Sequence, residues 1–135
     1  MLTEIMAYIK SCSAFREVKV GQELLEEQAG DVCLRSLGER PLLQRYADGS
    51  SLNQFVFMVC VRDDAFLQKA GGRKKLEELA ACLEEGKCLQ ERLTLTDGCF
   101  PQSFEVLETA AVVGNSFSSV RYEMKCRLIY YREEV

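Results

Sequence analysis

Ser119-Val120-Arg121-Tyr122-Glu123-Met124-Lys125-Cys126-Arg127-Leu128-Ile129-Tyr130-Tyr131-Arg132 is the stretch from which the rest of the chain takes its meaning. Val120, Tyr122, Met124, Cys126, Leu128 and Tyr130 form one alternating set. Arg121, Glu123, Lys125 and Arg127 form the other, which turns apolar at Ile129 and Tyr131. Successive side chains of a strand point to opposite faces, so the pattern predicts a strand with one apolar and one charged face. Such a strand needs paired neighbours and a helical layer over its apolar side. Alternating charges on the other side serve either solvation or a partner.

The chain before it supplies the neighbours. Residues 104–113 predict a strand, with Gly114-Asn115-Ser116 turning it back into 119–132 as a hairpin. Residues 42–47 and 52–62 flank Asp48-Gly49-Ser50-Ser51, a strong hairpin signal because glycine supplies the positive φ such turns demand. The second arm, Gln54-Phe55-Val56-Phe57-Met58-Val59-Cys60-Val61, is apolar on both faces and belongs in mid-sheet. One of its faces should meet helices; the other needs a cover that a second subunit could supply.

Shorter signals complete the outline. Leu2, Ile5, Met6, Ile9 and Cys12 keep helical spacing and predict a helix over 2–13, with Thr3 near its N-cap. Residues 17–20 open a strand, 21–30 read as an acidic loop, and 31–37 as a short strand ended by Gly38 and Pro41. Residues 63–72, with Phe66-Leu67 and a Gly-Gly break, predict a loop or short helical turn. Residues 73–85 form a second helix through Leu76, Leu79, Ala80 and Leu83, with Gly86 at its C-cap. Residues 87–96 suggest a short strand or an edge segment before the Asp97-Gly98 turn. The expectation is one α+β domain over 1–135, a mainly antiparallel sheet of about four strands packed against two principal helices.

Bulk properties narrow the function. The 135 residues carry a net charge of −4 and a pI near 5.0, which argues against docking on nucleic-acid phosphates. No apolar run reaches the ~20 residues of a membrane span, and Glu4 interrupts any signal-peptide pattern. Seven cysteines stand singly at 12, 33, 60, 82, 88, 99 and 126, which suggests reduced thiols used as small hydrophobes in a cytosolic setting.

No reaction centre emerges. With no histidine, the commonest general base, metal ligand and nucleophile activator is missing. No two cysteines have zinc-knuckle spacing; Cys82 and Cys88 come closest, and only Lys87 offers a thiol, Cys88, a basic neighbour. Gly71-Gly72-Arg73-Lys74 precedes a helix but lacks the spacing of a phosphate loop. The acidic pairs Glu26-Glu27, Asp63-Asp64, Glu77-Glu78 and Glu84-Glu85 are sequence neighbours that diverge on a helix or strand. No catalytic residue, metal site, cofactor or small-molecule substrate is expected. The function then lies in surfaces.

Two segments carry a resemblance. Leu42-Leu43-Gln44-Arg45-Tyr46-Ala47-Asp48-Gly49-Ser50-Ser51-Leu52-Asn53-Gln54-Phe55-Val56-Phe57 resembles the K-Y-x-D-G-[GS]-x-x-x-Q-F-x-F hairpin of small minor capsid or tail proteins of phages and prophages of Gram-positive bacteria. Val120-Arg121-Tyr122 and Cys126-Arg127-Leu128-Ile129-Tyr130-Tyr131 resemble that family's closing strand, A-R-Y-x-[IM]-x-x-R-L-x-Y. Cys82-Leu83-Glu84-Glu85 stands where the family has W-L-E-E, with cysteine in place of the aromatic, and residues 17–37 match poorly.

The resemblance implies a tail-terminator-like fold and a virion protein of the tail or neck, assembled in the host cytoplasm. Such subunits form a ring, commonly a hexamer, that caps the tail tube and docks to the head-tail connector while DNA passes through the lumen. The acidic balance suits a lumen that repels phosphates. On this expectation Arg121, Glu123, Lys125 and Arg127, with Ile129 and Tyr131 beyond them, set subunit contacts, and the Asp48-Gly49 tip and the 114–118 turn meet tube or connector. Competing readings are a head-completion, neck or other minor capsid protein, a small bacterial ligand-binding or enzymatic α+β domain, and an oligomeric scaffold unrelated to phage. A deep pocket with converging polar groups would favour the ligand-binding or enzymatic reading.

Overall fold

The computed structural model describes residues 1–11, 20–22, 32–64, 71–86, 88–115 and 119–133. The terminal strand has the bounds its alternation predicts, Ser119–Arg132, and is β6 of six. Its neighbours are β4 (Ser51–Asp64) on one side and β5 (Cys99–Asn115) on the other. β4 matches β6 residue for residue from Ser51 opposite Arg132 to Asp64 opposite Ser119. Both β4 and β5 run antiparallel to β6, so the hairpin returns β6 into the slot between two strands parallel to each other.

The other edge of β4 is shared. β2 (Val32–Ser36) pairs with residues 57–61, and β3 (Leu42–Arg45) pairs with residues 51–53. Between them the chain steps outward at Gly38, whose φ of 66° marks the jog, while Leu37 and Gln54 keep backbone bonds across it to Val56 and Pro41. β1 (Val20–Gln22) lies parallel to β2 at the far edge. The order is β1-β2-β4-β6-β5 with β3 beside β4, and every pairing but β1–β2 is antiparallel. Among the described residues the sheet has six strands where about four were expected. The three short ones, β1, β2 and β3, fall wholly or in part on segments whose local pattern already suggested strand, and what that pattern leaves open is their pairing.

The helices fill one layer. α1 (Leu2–Lys10) presents Ile5, Tyr8 and Ile9, and α2 (Gly71–Glu85) presents Leu76, Leu79 and Leu83, all buried. They meet Val32, Leu34, Phe57, Val59, Val61, Phe104, Met124, Cys126 and Leu128 from the strands in one continuous core. The even positions of β6 and the odd positions of β4 thus face the helices, as period-two alternation requires. At the centre Tyr8 stacks on Phe104 with ring centroids 5.3 Å apart, and Phe57 meets Phe104 edge-on at 6.0 Å.

Several boundaries move from their predicted places. The N-cap of α1 is Met1 and not Thr3, and Cys12 and Ser13 of the expected helix lie outside the described residues. So do residues 17–19 of the expected first strand and 23–30 of the expected loop, while Gly21 and Gln22 belong to β1. Of the segment expected as loop or helical turn, Asp63 and Asp64 extend β4, Gly71 and Gly72 open α2, and 65–70 lie outside the described residues. The expected strand within 87–96 is replaced by the helical turn α3 (Leu89–Arg92), because Leu89 and Leu93, four residues apart, both seat in the core. β5 starts five residues earlier than predicted and continues through Gly114 and Asn115.

Gly86 ends α2 as its position predicts, with φ of 62° and its N–H donating to the Cys82 carbonyl. A Cβ there would touch the Leu83 carbonyl at an unremarkable 3.9 Å, so the obstacle to a side chain is the left-handed backbone alone. Gly86→Ala is expected to cost about 1 kcal/mol, read as a shift in denaturant midpoint at unchanged slope.

Candidate interaction surface

The alternation that turns β6 toward the helices also places Arg121, Glu123, Lys125, Arg127, Ile129 and Tyr131 together on the opposite face. β4 adds Leu52, Gln54, Val56, Met58 and Cys60 beside them, β2 adds Cys33 and Arg35, and β5 adds Glu105 and Phe100. The helix side chains of the core pack on the other face.

The ladder is paired within its own sheet. The Arg127 guanidinium donates from Nε to Glu105 Oε2 at 2.8 Å and from Nη1 to Gln54 Oε1 at 3.1 Å, so one side chain ties β6 to both neighbours. Its Nη2 lies 2.6 Å from the same Glu105 oxygen. Lys125 Nζ lies 2.8 Å from Glu39 Oε1, and that hydrogen bond raises the ammonium above the ordinary lysine value. Arg121 is exposed and Glu123 half-buried opposite Cys60. Exposed pairs like these contribute little to stability, so their main effect is to hold long side chains in a fixed order.

The face has two halves. Toward Cys60 the small residues are covered: Cys33, Val56 and Cys60 are buried, with Arg35, Glu123 and Arg127 on adjoining positions. Burial first, and then the Glu123 carboxylate, pushes the Cys60 thiol up to about 12. Toward the β3–β4 hairpin the face is aromatic and open. Tyr131 stands between Tyr46 and Phe100, each with ring centroids 6.5 Å away, and Phe100 is 46% exposed. Leu52 lies opposite Tyr131, and Ile129 two residues along completes an apolar end.

Asp48 and Gly49 form the exposed tip of that hairpin. Asp48 accepts from the Ser50 hydroxyl and, at 2.9 Å, from the Ser50 N–H; these bonds hold its carboxyl below the usual range. Gly49 has the positive φ, 91°, that the Asp-Gly signal predicts. The tip is thus pre-shaped, and through Tyr46 its arm joins the aromatic end of β6. Of the turn expected at 114–118, Gly114 and Asn115 are in β5 and 116–118 lie outside the described residues.

Gln54 and Glu105 are brought to β6 by strand register and Glu39 by the connection between β2 and β3, which local pattern does not show. Phe100 escaped because Pro101 and the preceding Asp-Gly turn mask the start of β5. Proline is accommodated there because β5 ends the sheet order. Two clefts beside the Asp97-Gly98 turn, about 460 and 310 Å³, include Tyr130 and Arg132 in one and Leu93 and Phe100 in the other. Among the described residues no cluster of His, Cys, Asp or Glu is placed to hold a metal ion, and no helix is long and apolar enough to cross a membrane. No family model matches the chain, and no curated protein matches it either.

Proposed function

We propose that this chain is a structural, non-enzymatic subunit of a phage or prophage tail: a tail terminator that closes into a ring on the tail tube and receives the head connector. The observation that carries the proposal is the second face of the sheet. The two segments with the family's pattern, 42–57 and 120–131, are neighbours in space, β4 paired along the whole of β6. Their outward residues form one surface, an ordered charge ladder running into an apolar end made by Tyr46, Leu52, Phe100, Ile129 and Tyr131. A fixed polar row beside exposed aromatics suits a specific contact between proteins.

A contact of this kind repeated head to tail closes into a ring when the rotation per subunit allows it. The edge of β5 is a poor alternative. Its register with β6 slips at four places and it carries Pro101, features that twist and blunt an edge against strand addition. Association through the face leaves the Asp48-Gly49 tip at the margin of the contact for tube or connector.

Mass in solution, followed across a concentration series with and without an added phage tail tube protein, tests this. The expected result is a discrete closed oligomer, a hexamer on the family's pattern, formed alone or on the tube. A strict monomer under both conditions would overturn the proposal.

A further inference from the structure

We propose that Cys33 and Cys60 form a latent cross-strand disulfide site, which closes by exchange with a low-molecular-weight disulfide and clamps β2 to β4. The inference stands apart from the tail reading and rests on strand register. Cys33 lies directly opposite Cys60 in the antiparallel β2–β4 pair, so both side chains leave the same face of the sheet. Opposed residues in such a pair have Cα atoms about 4.5 or 5.5 Å apart, according to whether the pair is hydrogen-bonded. Both values fall within the roughly 4.4–6.8 Å that a disulfide spans.

The other described cysteines are excluded by position. Cys126 lies on β6 opposite Phe57, on the helix side of the sheet. Cys99 is opposite Arg132 at the far end of β6, Cys82 is on α2, and Cys88 is an exposed residue between α2 and α3. Both members of the pair are buried, 2% and 5% exposed, which guards them against bulky reagents but not against each other. The high position of the Cys60 thiol keeps it protonated in ordinary buffer, so closure is slow and proceeds through opening of the β1–β2 edge.

The chemistry balances as thiol–disulfide exchange. One cysteine thiolate attacks a sulfur of the reagent disulfide, breaking its S–S bond, forming a mixed disulfide and releasing one reagent thiol. The second thiolate then attacks the protein sulfur of that mixed disulfide and releases the other reagent thiol. The protein loses two electrons and two protons, and the reagent gains them.

The test refolds the full chain, in a Cys88→Ser background, in a buffer of reduced and oxidised glutathione, so that access to buried sulfur is not limiting. Thiols are then blocked and the protein digested with trypsin without reduction. The expected product is peptide 20–35 joined to peptide 46–62, with a mass about 2 Da below the sum of the two thiol peptides. The oxidised chain unfolds at a higher denaturant midpoint, and a thiol reductant reverses the shift. Cys33→Ala and Cys60→Ala each lose the linked peptide, and their partner carries glutathione instead. If Cys33 and Cys60 are recovered as free thiols after refolding, or joined to other cysteines, the proposal fails.

Discussion

Leu128→Asp is expected to leave no folded chain at 25 °C, whereas Ile129→Asp, one position along the same strand, keeps the fold and loses self-association. Leu128 is fully buried and lies opposite Phe55 on one side and Phe104 on the other. Removing its side chain from the core forfeits about 2–3 kcal/mol. A carboxyl put there has no partner and costs several kcal/mol more, whether it stays charged or takes up a proton. The sum rivals the ~5–15 kcal/mol that holds a domain together. Ile129 is half-buried on the opposite face, beside Gln54 and Ser103, where polar substitution costs about 1 kcal/mol or less. The effect of its aspartate falls on association, by placing a charge in the proposed contact. Circular dichroism and sedimentation of the two variants check this; similar behaviour of both would mean that the two faces are not distinct.

That contrast also shows how far the fold can be read from residues alone. β6 is legible because each of its faces is chemically uniform and period two survives over its whole length. β4 is legible for the opposite reason: it is apolar on both sides, as a strand flanked by others must be. The Asp48-Gly49 turn and the Gly86 cap are local backbone requirements and show as such. β5 is read short at its start, where Pro101 and the Asp97-Gly98 turn hide residues 99–103. Its register with β6, which slips at four places, is not readable from the residues at all. α3 is a single turn held by the docking of Leu89 and Leu93, a tertiary effect that overrides local preference. β1 exists through a parallel pairing that sets Val20 opposite Val32; the strand expected over 17–20 reaches it only at Val20, because Gly21 and Gln22 read as loop.

The surface divides in the same way. Arg121, Glu123, Lys125, Arg127, Ile129 and Tyr131 share a face by alternation, and the sequence alone shows that much. Their intrachain partners Gln54 and Glu105, and the juxtaposition of Cys33 with Cys60, depend on which residues stand opposite across strands, and Glu39 reaches Lys125 from the connection between β2 and β3. A slip of one residue would turn the whole set to the other side, so register is the quantity that local pattern leaves open.

Phe57→Ala is expected to destabilise the chain by about 3–5 kcal/mol, by deleting the ring on which the two layers meet. Phe57 is fully buried, opposite Cys126 on β6 and Ser36 on β2, with Phe55 stacked 6.3 Å along the strand and Phe104 edge-on. Phe104 in turn carries Tyr8 of α1, so one cluster links α1 to β4 and β5. Alanine leaves a void that rigid strands close poorly and removes the edge-on aromatic contact, worth about 0.5–1.5 kcal/mol by itself. Phe57→Leu, which keeps most of the volume, should cost roughly half as much or less. Denaturant midpoints at constant slope measure both. A loss below about 1 kcal/mol for alanine would place the ring outside a packed core. Because β4 holds β2, β3 and β6 in register, the alanine variant should also weaken assembly in proportion to its lost stability. Ile129→Asp, by contrast, should weaken assembly with stability nearly intact. The two variants therefore separate damage to the scaffold from damage to the surface it displays.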